Sequence, residues 1–505
     1  MKLAPVFPLW HSFGQPDPAV SRQDWLTGQL RAAIVAGTLA PGARLPASRQ
    51  LASDIALSRN TVSIAYERLI AEGLLDTRPG AGTFVATSLS RSEQQTATVA
   101  IQEQSSAILS ARAAQLLPTP GERPPADDRL PLTPGLPDPD LFPHDVWARL
   151  SARVWRRQPT LGYGDAAGLP VLREAVAGYI GATRGVACEA DQILITAGTQ
   201  GAMAAVTLAL LEPGAQAWVE DPGYRQASRS LRLAGATPVG VSLDEEGLNV
   251  QQGITRAPEA MMAIVSPSHQ YPLGTTMSLA RRIELLDWAG QRGAWIFEDD
   301  YDGEYRYDGA QVKALKSLDR DGRVIYGGTF SKLLAPGLRL GFIVVPDALI
   351  DALRSVRQAL DHGIATPIQA ALADFIGNGH LGTHIRKTRA VYDERRQQVR
   401  AACEQMPSFV GVKGADAGLH LVGLLDQVDD QRVVARARAA GLGVSALSTY
   451  RQPTGQPNRE TRVTSGPASR MGSGVLIGYA TPGSGPARLT IPQALEKFAA
   501  AVKSP

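Results

Sequence analysis

The chain is poor in cysteine and has no long apolar run. It has only two cysteines in 505 residues, Cys188 and Cys403, and they are far apart in the sequence. Neither a disulfide framework nor a metal site is therefore expected. No apolar stretch approaches the roughly 18 residues of a membrane span. Pro5 and Pro8 interrupt any apolar core near the N-terminus, which argues against a secretory signal. These absences predict a soluble, cytoplasmic protein.

The chain also lacks a strong excess of charge of either sign. It contains 51 Lys and Arg residues and 48 Asp and Glu residues, a net charge of +3. Composition alone therefore does not indicate nucleic-acid binding. The length of 505 residues exceeds what one hydrophobic core supports, so at least two domains are expected.

Residues 15–88 have the pattern of three short helices followed by a hairpin. Ser21 and Ser58 can cap the first and third helices, and apolar residues at helical spacing continue the third from Val62 to Ile70. A Gly-rich turn at residues 78–82 joins two strand-like runs. These elements predict a small α+β winged helix-turn-helix, whose third helix enters the major groove of DNA.

The charge of this segment is too small for strong binding by one copy. Residues 1–86 hold eight Lys or Arg and six Asp or Glu, a net charge of +2. Phosphate contacts from a single weakly basic module bind DNA poorly. We therefore expect two copies to act together.

The composition changes after the hairpin and again near residue 129. Residues 89–128 are rich in Ser, Gln, Thr and Ala and then in Pro, which predicts a linker with a helical middle. From residue 129 to residue 505, strand-like and helical patterns alternate. That alternation predicts a large α/β domain with a mostly parallel sheet and with ligand loops at the carboxyl ends of its strands.

Two segments of this second domain suggest chemistry. In residues 327–341, Lys332 lies on a Gly- and Ser-rich turn, and Arg339 follows seven residues later. An amine can form a Schiff base with an aldehyde, while an arginine and small hydroxyls suit a phosphate. In residues 298–305, an acidic run closes a strand-like segment. An Asp there can pair with a protonated pyridine nitrogen, and a nearby Tyr can bind a ring hydroxyl.

These motifs resemble known families in a fixed order. Residues 44–52, Arg-Leu-Pro-Ala-Ser-Arg-Gln-Leu-Ala, and 58–62, Ser-Arg-Asn-Thr-Val, resemble the signature of the GntR-type winged helix. Residues 129–505 resemble the class I aminotransferases of fold type I, and the whole chain resembles the MocR subfamily of GntR regulators. The resemblance implies a homodimeric, DNA-binding transcriptional regulator that depends on pyridoxal 5′-phosphate (PLP). Its effector would be sensed through an internal aldimine of PLP with Lys332.

The resemblance also implies a role for each cofactor contact. Lys332 would carry PLP, Asp299 would pair with the pyridine nitrogen and Tyr301 would meet the ring hydroxyl. Tyr224 would stack on the ring, and Tyr163 would reach the phosphate bound in the partner subunit. The remaining phosphate contacts would come from Thr199, Gln200, Thr329, Ser331 and Arg339.

The same resemblance places five residues at positions that contact an operator in double-stranded DNA: Arg49, Arg59, Asn60, Thr61 and Ser63. Arg and Asn suit paired contacts to base edges, and Thr or Ser suits phosphate. The expected small-molecule effector is PLP itself or an amino compound that exchanges with Lys332.

Two departures from the aminotransferase pattern leave turnover in question. The usual Asn-Pro-x-Gly segment is replaced by residues 271–274, Tyr-Pro-Leu-Gly, with His269 just before it. No Arg lies within residues 475–479, where one usually fixes the substrate carboxylate, and Arg462 and Arg470 are only nearby candidates. No catalytic residue is therefore assigned. A working aminotransferase with a DNA-binding head and a PLP-free structural dimeriser remain the alternative interpretations.

Overall fold

A computed structural model describes residues 20–87, 109–117, 130–157, 162–309, 311–426, 428–452 and 473–503. The chain divides into two compact units between residues 108 and 109. Within these ranges, no helix combines the length and the apolar character that a membrane crossing requires.

The N-terminal unit consists of three helices and a two-stranded hairpin. Its elements are α1 (Arg22–Val35), α2 (Ser48–Asp54), α3 (Arg59–Ala71), β1 (Leu75–Arg78) and β2 (Gly82–Val85). The two strands pair antiparallel, with Leu75 opposite Val85. The predicted winged helix-turn-helix is confirmed.

Serine caps and one apolar core account for this arrangement. The Ser21 hydroxyl accepts a hydrogen bond from the Asp24 amide at 3.1 Å, and the Ser58 hydroxyl accepts one from the Thr61 amide at 3.1 Å. These bonds satisfy backbone donors at the starts of α1 and α3, as predicted. The inward faces of the three helices share fully buried side chains at Leu26, Leu30, Leu51, Val62 and Leu69.

The second unit alternates helices and strands. Its helices are α4 (Ala111–Gln115), α5 (His144–Arg156), α6 (Pro170–Arg184), α7 (Gly198–Leu210), α8 (Arg225–Ala234), α9 (Val250–Arg256), α10 (Leu279–Arg292), α11 (Ile350–Asp361), α12 (Thr366–Gly377), α13 (His380–Glu404), α14 (Asp430–Ala439) and α15 (Ile491–Lys503). Its strands are β3 (Ile193–Thr196), β4 (Gln216–Asp221), β5 (Thr237–Asp244), β6 (Gly247–Leu248), β7 (Met262–Val265), β8 (Trp295–Asp300), β9 (Val324–Thr329), β10 (Gly341–Val344), β11 (Phe409–Lys413), β12 (His420–Leu425), β13 (Ser445–Ala446) and β14 (Gly474–Gly478).

Two sheets organise this unit. The larger has the order β3-β10-β9-β8-β7-β4-β5-β6. Strands β9, β8, β7, β4 and β5 run parallel, whereas β10 pairs antiparallel with β3 and β9, and β6 pairs antiparallel with β5. Strands β3, β7 and β10 are buried along their whole length, as expected for a sheet covered by helices on both faces. The smaller sheet is antiparallel, with the order β11-β12-β14-β13. The predicted large α/β domain of fold type I is confirmed.

The direction of the parallel strands brings the candidate residues together. Because β4, β8 and β9 run the same way, their carboxyl ends meet at one edge of the sheet. Tyr224 follows β4, Asp299 lies in the last two residues of β8, and Lys332 follows β9. Residues far apart in sequence therefore reach one site.

Part of the predicted linker, residues 89–128, falls within the described ranges. Residues 109–117 contain α4, and the Arg229 guanidinium on α8 donates to the Leu116 carbonyl oxygen at 2.6 Å. The rest of that segment lies outside the described residues, so the proposed domain limits stay a prediction.

Candidate cofactor site and DNA-binding surface

A cavity of about 180 Å³ lies at the carboxyl edge of the large sheet. Of the ten predicted cofactor contacts, nine line it: Thr199, Gln200, Tyr224, Asp299, Tyr301, Thr329, Ser331, Lys332 and Arg339. The wall is completed by Pro134, Gly135, Leu136, Tyr271 and Pro336. The structure thus brings together residues from six separate stretches of the chain, although their individual roles stay predictions.

Lys332 is held inside the cavity by the backbone of the segment that enters the domain. Its Nζ donates a hydrogen bond to the Gly135 carbonyl oxygen at 2.7 Å. Burial lowers the pKa of Lys332, and the nearby charges of Asp302 and Asp299 oppose that change. A lowered pKa favours the neutral amine, which is the nucleophilic form. Sequence reasoning missed Gly135, although Pro134-Gly135 is a recognisable turn signal.

Asp299 presents an unpaired buried carboxyl to the same cavity. The residue is 5% exposed, and its Oδ1 has no hydrogen-bond partner among the described residues. Burial raises the pKa of Asp299 to about 8, and the charges of Asp300 and Glu220 add to the rise. A positively charged ring nitrogen would relieve this cost, so the carboxyl fits the pyridine nitrogen of PLP.

The neighbouring Asp300 has a different environment. Its Oδ2 accepts from Arg184 Nε at 2.6 Å and from the Tyr326 hydroxyl at 2.8 Å. Arg184 also donates to the Ser268 hydroxyl at 2.8 Å. Because successive side chains of a strand point to opposite faces, only one of the two adjacent carboxyls can face the cavity. Asp300 belongs to a buried ion pair behind it.

An anion cradle lies opposite Asp299. Thr199 and Gln200 are in the first turn of α7, where backbone amides lack helical partners. Arg339 donates to the Ala197 carbonyl oxygen at 3.1 Å, which holds its guanidinium beside that turn. Thr329 accepts from the Ser331 amide at 3.2 Å. A helix N-terminus, an arginine and small hydroxyls together fit a phosphate group.

Tyrosines form the remaining wall. The Tyr224 hydroxyl accepts from Gln200 Nε2 at 3.1 Å, and its ring meets Tyr271 edge-on at 6.0 Å. Tyr271 also meets Tyr301 edge-on at 5.9 Å and donates to the Tyr450 hydroxyl at 3.0 Å. Tyr271 occupies the position of the usual aminotransferase Asn, and that departure was the available signal for its place in the wall.

Tyr163 does not line the cavity of its own chain. Its side chain is 85% exposed, and its ring lies 5.3 Å from that of His362. Its role towards a partner subunit stays a prediction. Arg462 and Arg470, the candidates for binding a carboxylate, lie outside the described residues.

The predicted DNA contacts lie around the start of α3. Arg49, Arg59 and Asn60 are exposed, and Ser63 is half-buried. Thr61 is 9% exposed, and its hydroxyl lies 2.8 Å from that of Ser58. The Thr61 hydroxyl is therefore already engaged at the helix cap, whereas the two arginines and Asn60 are open to a ligand.

Two further exposed arginines lie at the hairpin and were not among the DNA contacts predicted from the sequence. Arg44 bridges to Phe84 in the backbone, and the Arg78 guanidinium lies 4.7 Å above the Phe84 ring. Both arginines are exposed. Arg44 belongs to the GntR-type motif and Arg78 to the predicted turn, so both signals were present in the sequence.

Two families match separate parts of the chain. Residues 24–85 match the bacterial regulatory proteins of the gntR family, and residues 136–466 match the class I and II aminotransferases. Members of the second family bind PLP. The order of the two matches agrees with the order of the two units.

Similar proteins with both parts are named as regulators. The probable rhizopine catabolism regulatory protein MocR of Rhizobium meliloti is 38% identical over 92% of this chain and 91% of that protein. The pyridoxine biosynthesis transcriptional regulator PdxR of Corynebacterium glutamicum is 31% identical, over 88% of this chain and 92% of its own length. The transcriptional regulator TauR of Rhodobacter capsulatus is 30% identical, over 89% of this chain and 93% of its own length.

Solved aminotransferases share the fold of the second unit. The kynurenine aminotransferase of Pyrococcus horikoshii, solved with PMP, has a TM-score of 0.66 at 26% identity and covers 78% of this chain and 97% of its own. The α-aminoadipate aminotransferase LysN of Thermus thermophilus, solved with N-(5′-phosphopyridoxyl)-L-leucine, has a TM-score of 0.64 at 25% identity, over 78% and 95%.

Proposed function

Because this chain belongs to the MocR subfamily of GntR-type transcriptional regulators, we propose that it senses an effector through PLP held at Lys332 and passes that signal to an operator. One observation carries the proposal. The buried amine of Lys332 and the unpaired carboxyl of Asp299 share a cavity with an anion cradle. When bound, PLP supplies an aldehyde that reacts reversibly with amines.

Each part of the cavity suits one part of that group. Asp299 would hold the ring nitrogen, Tyr301 the ring hydroxyl and Tyr224 the ring face. The phosphate would be held by Thr199, Gln200, Thr329, Ser331 and Arg339. The lowered pKa of Lys332 favours reaction at its neutral nitrogen.

Sensing requires less of the site than turnover does. We propose negligible turnover, because residues 475–479 contain no Arg to orient an amino-acid carboxylate. Correct positioning of a substrate can lower the activation barrier by about 7–11 kcal/mol, so a substrate that is not held in place reacts far more slowly. An effector needs only to favour one arrangement of the regulator over another. Sustained turnover of a common amino acid with a keto acid would refute this part.

The proposed division of labour follows the sequence. Residues 15–88 would bind the operator in the cytoplasm, residues 89–128 would link the parts, and residues 129–505 would bind PLP and dimerise. A homodimer would place two weakly basic modules on one operator. It would also bring the exposed Tyr163 of each chain to the site of the other.

Mixing two defective chains tests the shared site. We expect Tyr163→Ala and Lys332→Ala proteins each to retain little borohydride-fixable PLP at limiting cofactor. Co-refolded mixed dimers should regain it, because the first chain supplies Lys332 and the second supplies Tyr163. Failure of the mixture to recover, with mixed dimers verified by tag pull-down, would mean that Tyr163 does not act across an interface.

Arg59→Ala should abolish preference for the operator without altering cofactor uptake. Arg59 is exposed at the start of α3, and a lost base contact costs about 1–3 kcal/mol. Gel shifts on operator and scrambled DNA measure the preference, and the visible spectrum measures PLP. Arg22→Ala, an exposed arginine at the start of α1, is the matched control. Equal losses on both DNAs would show that Arg59 contacts only phosphate.

A further inference from the structure

A buried histidine lies directly behind the tyrosine that faces the cavity. His269 is 2% exposed and Asp302 is 1% exposed. His269 Nδ1 lies 3.1 Å from both carboxylate oxygens of Asp302 and 3.1 Å from the Tyr301 hydroxyl. The same ring nitrogen therefore faces two oxygen groups. The carboxylate can only accept a hydrogen bond from it, whereas the hydroxyl can donate one to it.

The proton on that nitrogen decides what Tyr301 can do. If Nδ1 carries the proton, it donates to Asp302, and the Tyr301 hydroxyl cannot donate back to it. The Tyr301 proton is then free to point into the cavity. If Nδ1 is bare, it accepts the Tyr301 proton, and the Asp302 oxygens face a lone pair.

The carboxylate of Asp302 favours the state in which His269 Nδ1 carries the proton. A carboxylate stabilises an N–H that points at it and repels a lone pair. Burial raises the pKa of Asp302, but the adjacent His269 and the Lys332 charge oppose that rise. The other ring nitrogen, Nε2, has no hydrogen-bond partner among the described residues. Among those residues, no acceptor is therefore hydrogen-bonded to Nε2 to favour the proton on that nitrogen instead.

The neighbouring His420 does not supply a proton to His269. His420 lies 5.7 Å away between ring centroids, and its Nε2 lies 3.0 Å from the Pro272 carbonyl oxygen. Because a carbonyl only accepts, that nitrogen carries the proton of the neutral ring. Burial lowers the pKa of His420 to about 3, so it stays neutral.

Two glycines, Gly418 and Gly274, pack closely against the imidazole of His269 and restrict its position. A Cβ on Gly418 would lie 2.2 Å from His269 Cε1 and 2.5 Å from Asp302 Oδ2. A Cβ on Gly274 would lie 3.0 Å from Nε2. Gly418 is itself fixed, since its carbonyl oxygen accepts from the Tyr479 hydroxyl at 2.8 Å. The slot is shaped for this ring at this orientation.

We propose that His269 is a positioning residue: Asp302 keeps its proton on Nδ1, and this leaves the Tyr301 hydroxyl proton available to an oxygen of the bound cofactor. The inference rests on the proposed function, since Tyr301 acts only if PLP occupies the cavity. A hydrogen bond from Tyr301 would make the ring oxygen of the cofactor a weaker acceptor for a proton on the nitrogen contributed by Lys332. Loss of the hydrogen bond from Tyr301 should therefore move the pH midpoint of the cofactor's titration to higher pH.

The test uses the full-length protein loaded with PLP. The pH midpoint of its visible absorption change is measured, together with the PLP dissociation constant. We expect Tyr301→Phe to raise the midpoint by roughly one pH unit, about a tenfold change in the protonation constant. His269→Leu should have the same effect, because the nearby Asp302 carboxylate then loses the imidazole N–H and becomes the acceptor for the Tyr301 proton. His269→Asn should stay near the parent, because its amide nitrogen can donate to Asp302 from the position of Nδ1. His144→Gln, on an exposed histidine, is the control.

The combined variant separates positioning from general disruption. His269→Leu should add no further shift in the Tyr301→Phe background, because both changes remove one interaction. Additive shifts, or a His269→Leu midpoint equal to that of the parent, would overturn the inference. His269→Ala replaces the Leu variant if that protein fails to fold. A parent that takes up no PLP would instead overturn the proposed function and this inference with it.

Discussion

Lys332→Ala is expected to abolish the effector response of transcription while operator binding persists. Among the described residues that line the cavity, Lys332 carries the one amine that can form a Schiff base with an aldehyde, whereas the predicted operator contacts lie in the separate N-terminal unit. A reporter driven by the regulator's own operator, with and without effector, measures the response. The expected change is complete loss.

The matched control is Lys313→Ala, which removes an exposed lysine from the same unit. This control should respond as the parent does, and a gel shift should show the Lys332→Ala protein still on the operator. A Lys332→Ala reporter that follows effector as the parent does would contradict the sensing role. Loss of operator binding in that variant would contradict the independence of the DNA-binding unit.

Asp299→Asn is expected to weaken PLP binding by about 3–5 kcal/mol, because it leaves a buried charged ring nitrogen without its partner. The same change should help the cofactor-free protein at high pH. Burial raises the pKa of Asp299 from 3.8 to about 8. The pKa of Asp299 is higher in the folded than in the unfolded protein. Its contribution to the free energy of unfolding is therefore fully present below about pH 4 and is lost as the pH rises through about 8.

Chemical denaturation of the cofactor-free parent and variant from about pH 4 to about pH 8, the range between the unfolded and folded pKa values of Asp299, checks the sign. Within the window, each pH unit should favour Asp299→Asn by up to about 1.4 kcal/mol relative to the parent. Leu208→Ala, a half-exposed residue of α7, controls for a change unrelated to titration. Parallel pH curves for parent and Asp299→Asn would mean that Asp299 does not titrate in this range. Unchanged PLP affinity would remove it from the cofactor's contacts.

The sequence alone predicted the cavity residues that belong to short local motifs. Lys332 and Arg339 share one short segment, and the resemblance to aminotransferases implied Asp299 rather than the adjacent Asp300. The division into a winged helix and an α/β domain followed from helix caps, a Gly-rich turn and the change in periodicity. These signals act over a few residues, so they need no knowledge of tertiary contacts.

Contacts between distant segments could not be obtained in this way. The carbonyl that holds Lys332 belongs to Gly135, which lies 197 residues earlier. Asp302 was visible only as part of an acidic run, and its pairing with His269 depends on how the loops after β7 and β8 pack. The resemblance to GntR-type proteins placed Thr61 among the DNA contacts, but its hydroxyl lies 2.8 Å from that of Ser58 at the helix cap. Such outcomes depend on packing rather than on pattern.

Peptide mapping after borohydride reduction shows whether Lys332 holds PLP covalently, as we propose. The full-length protein is incubated with PLP, reduced, digested and analysed by mass spectrometry, with Lys332→Ala treated identically. We expect a single modified peptide, with the added mass on Lys332, and no corresponding label in the variant. A label on another lysine, equal labelling of the variant, or a parent that stays colourless and unlabelled would contradict it.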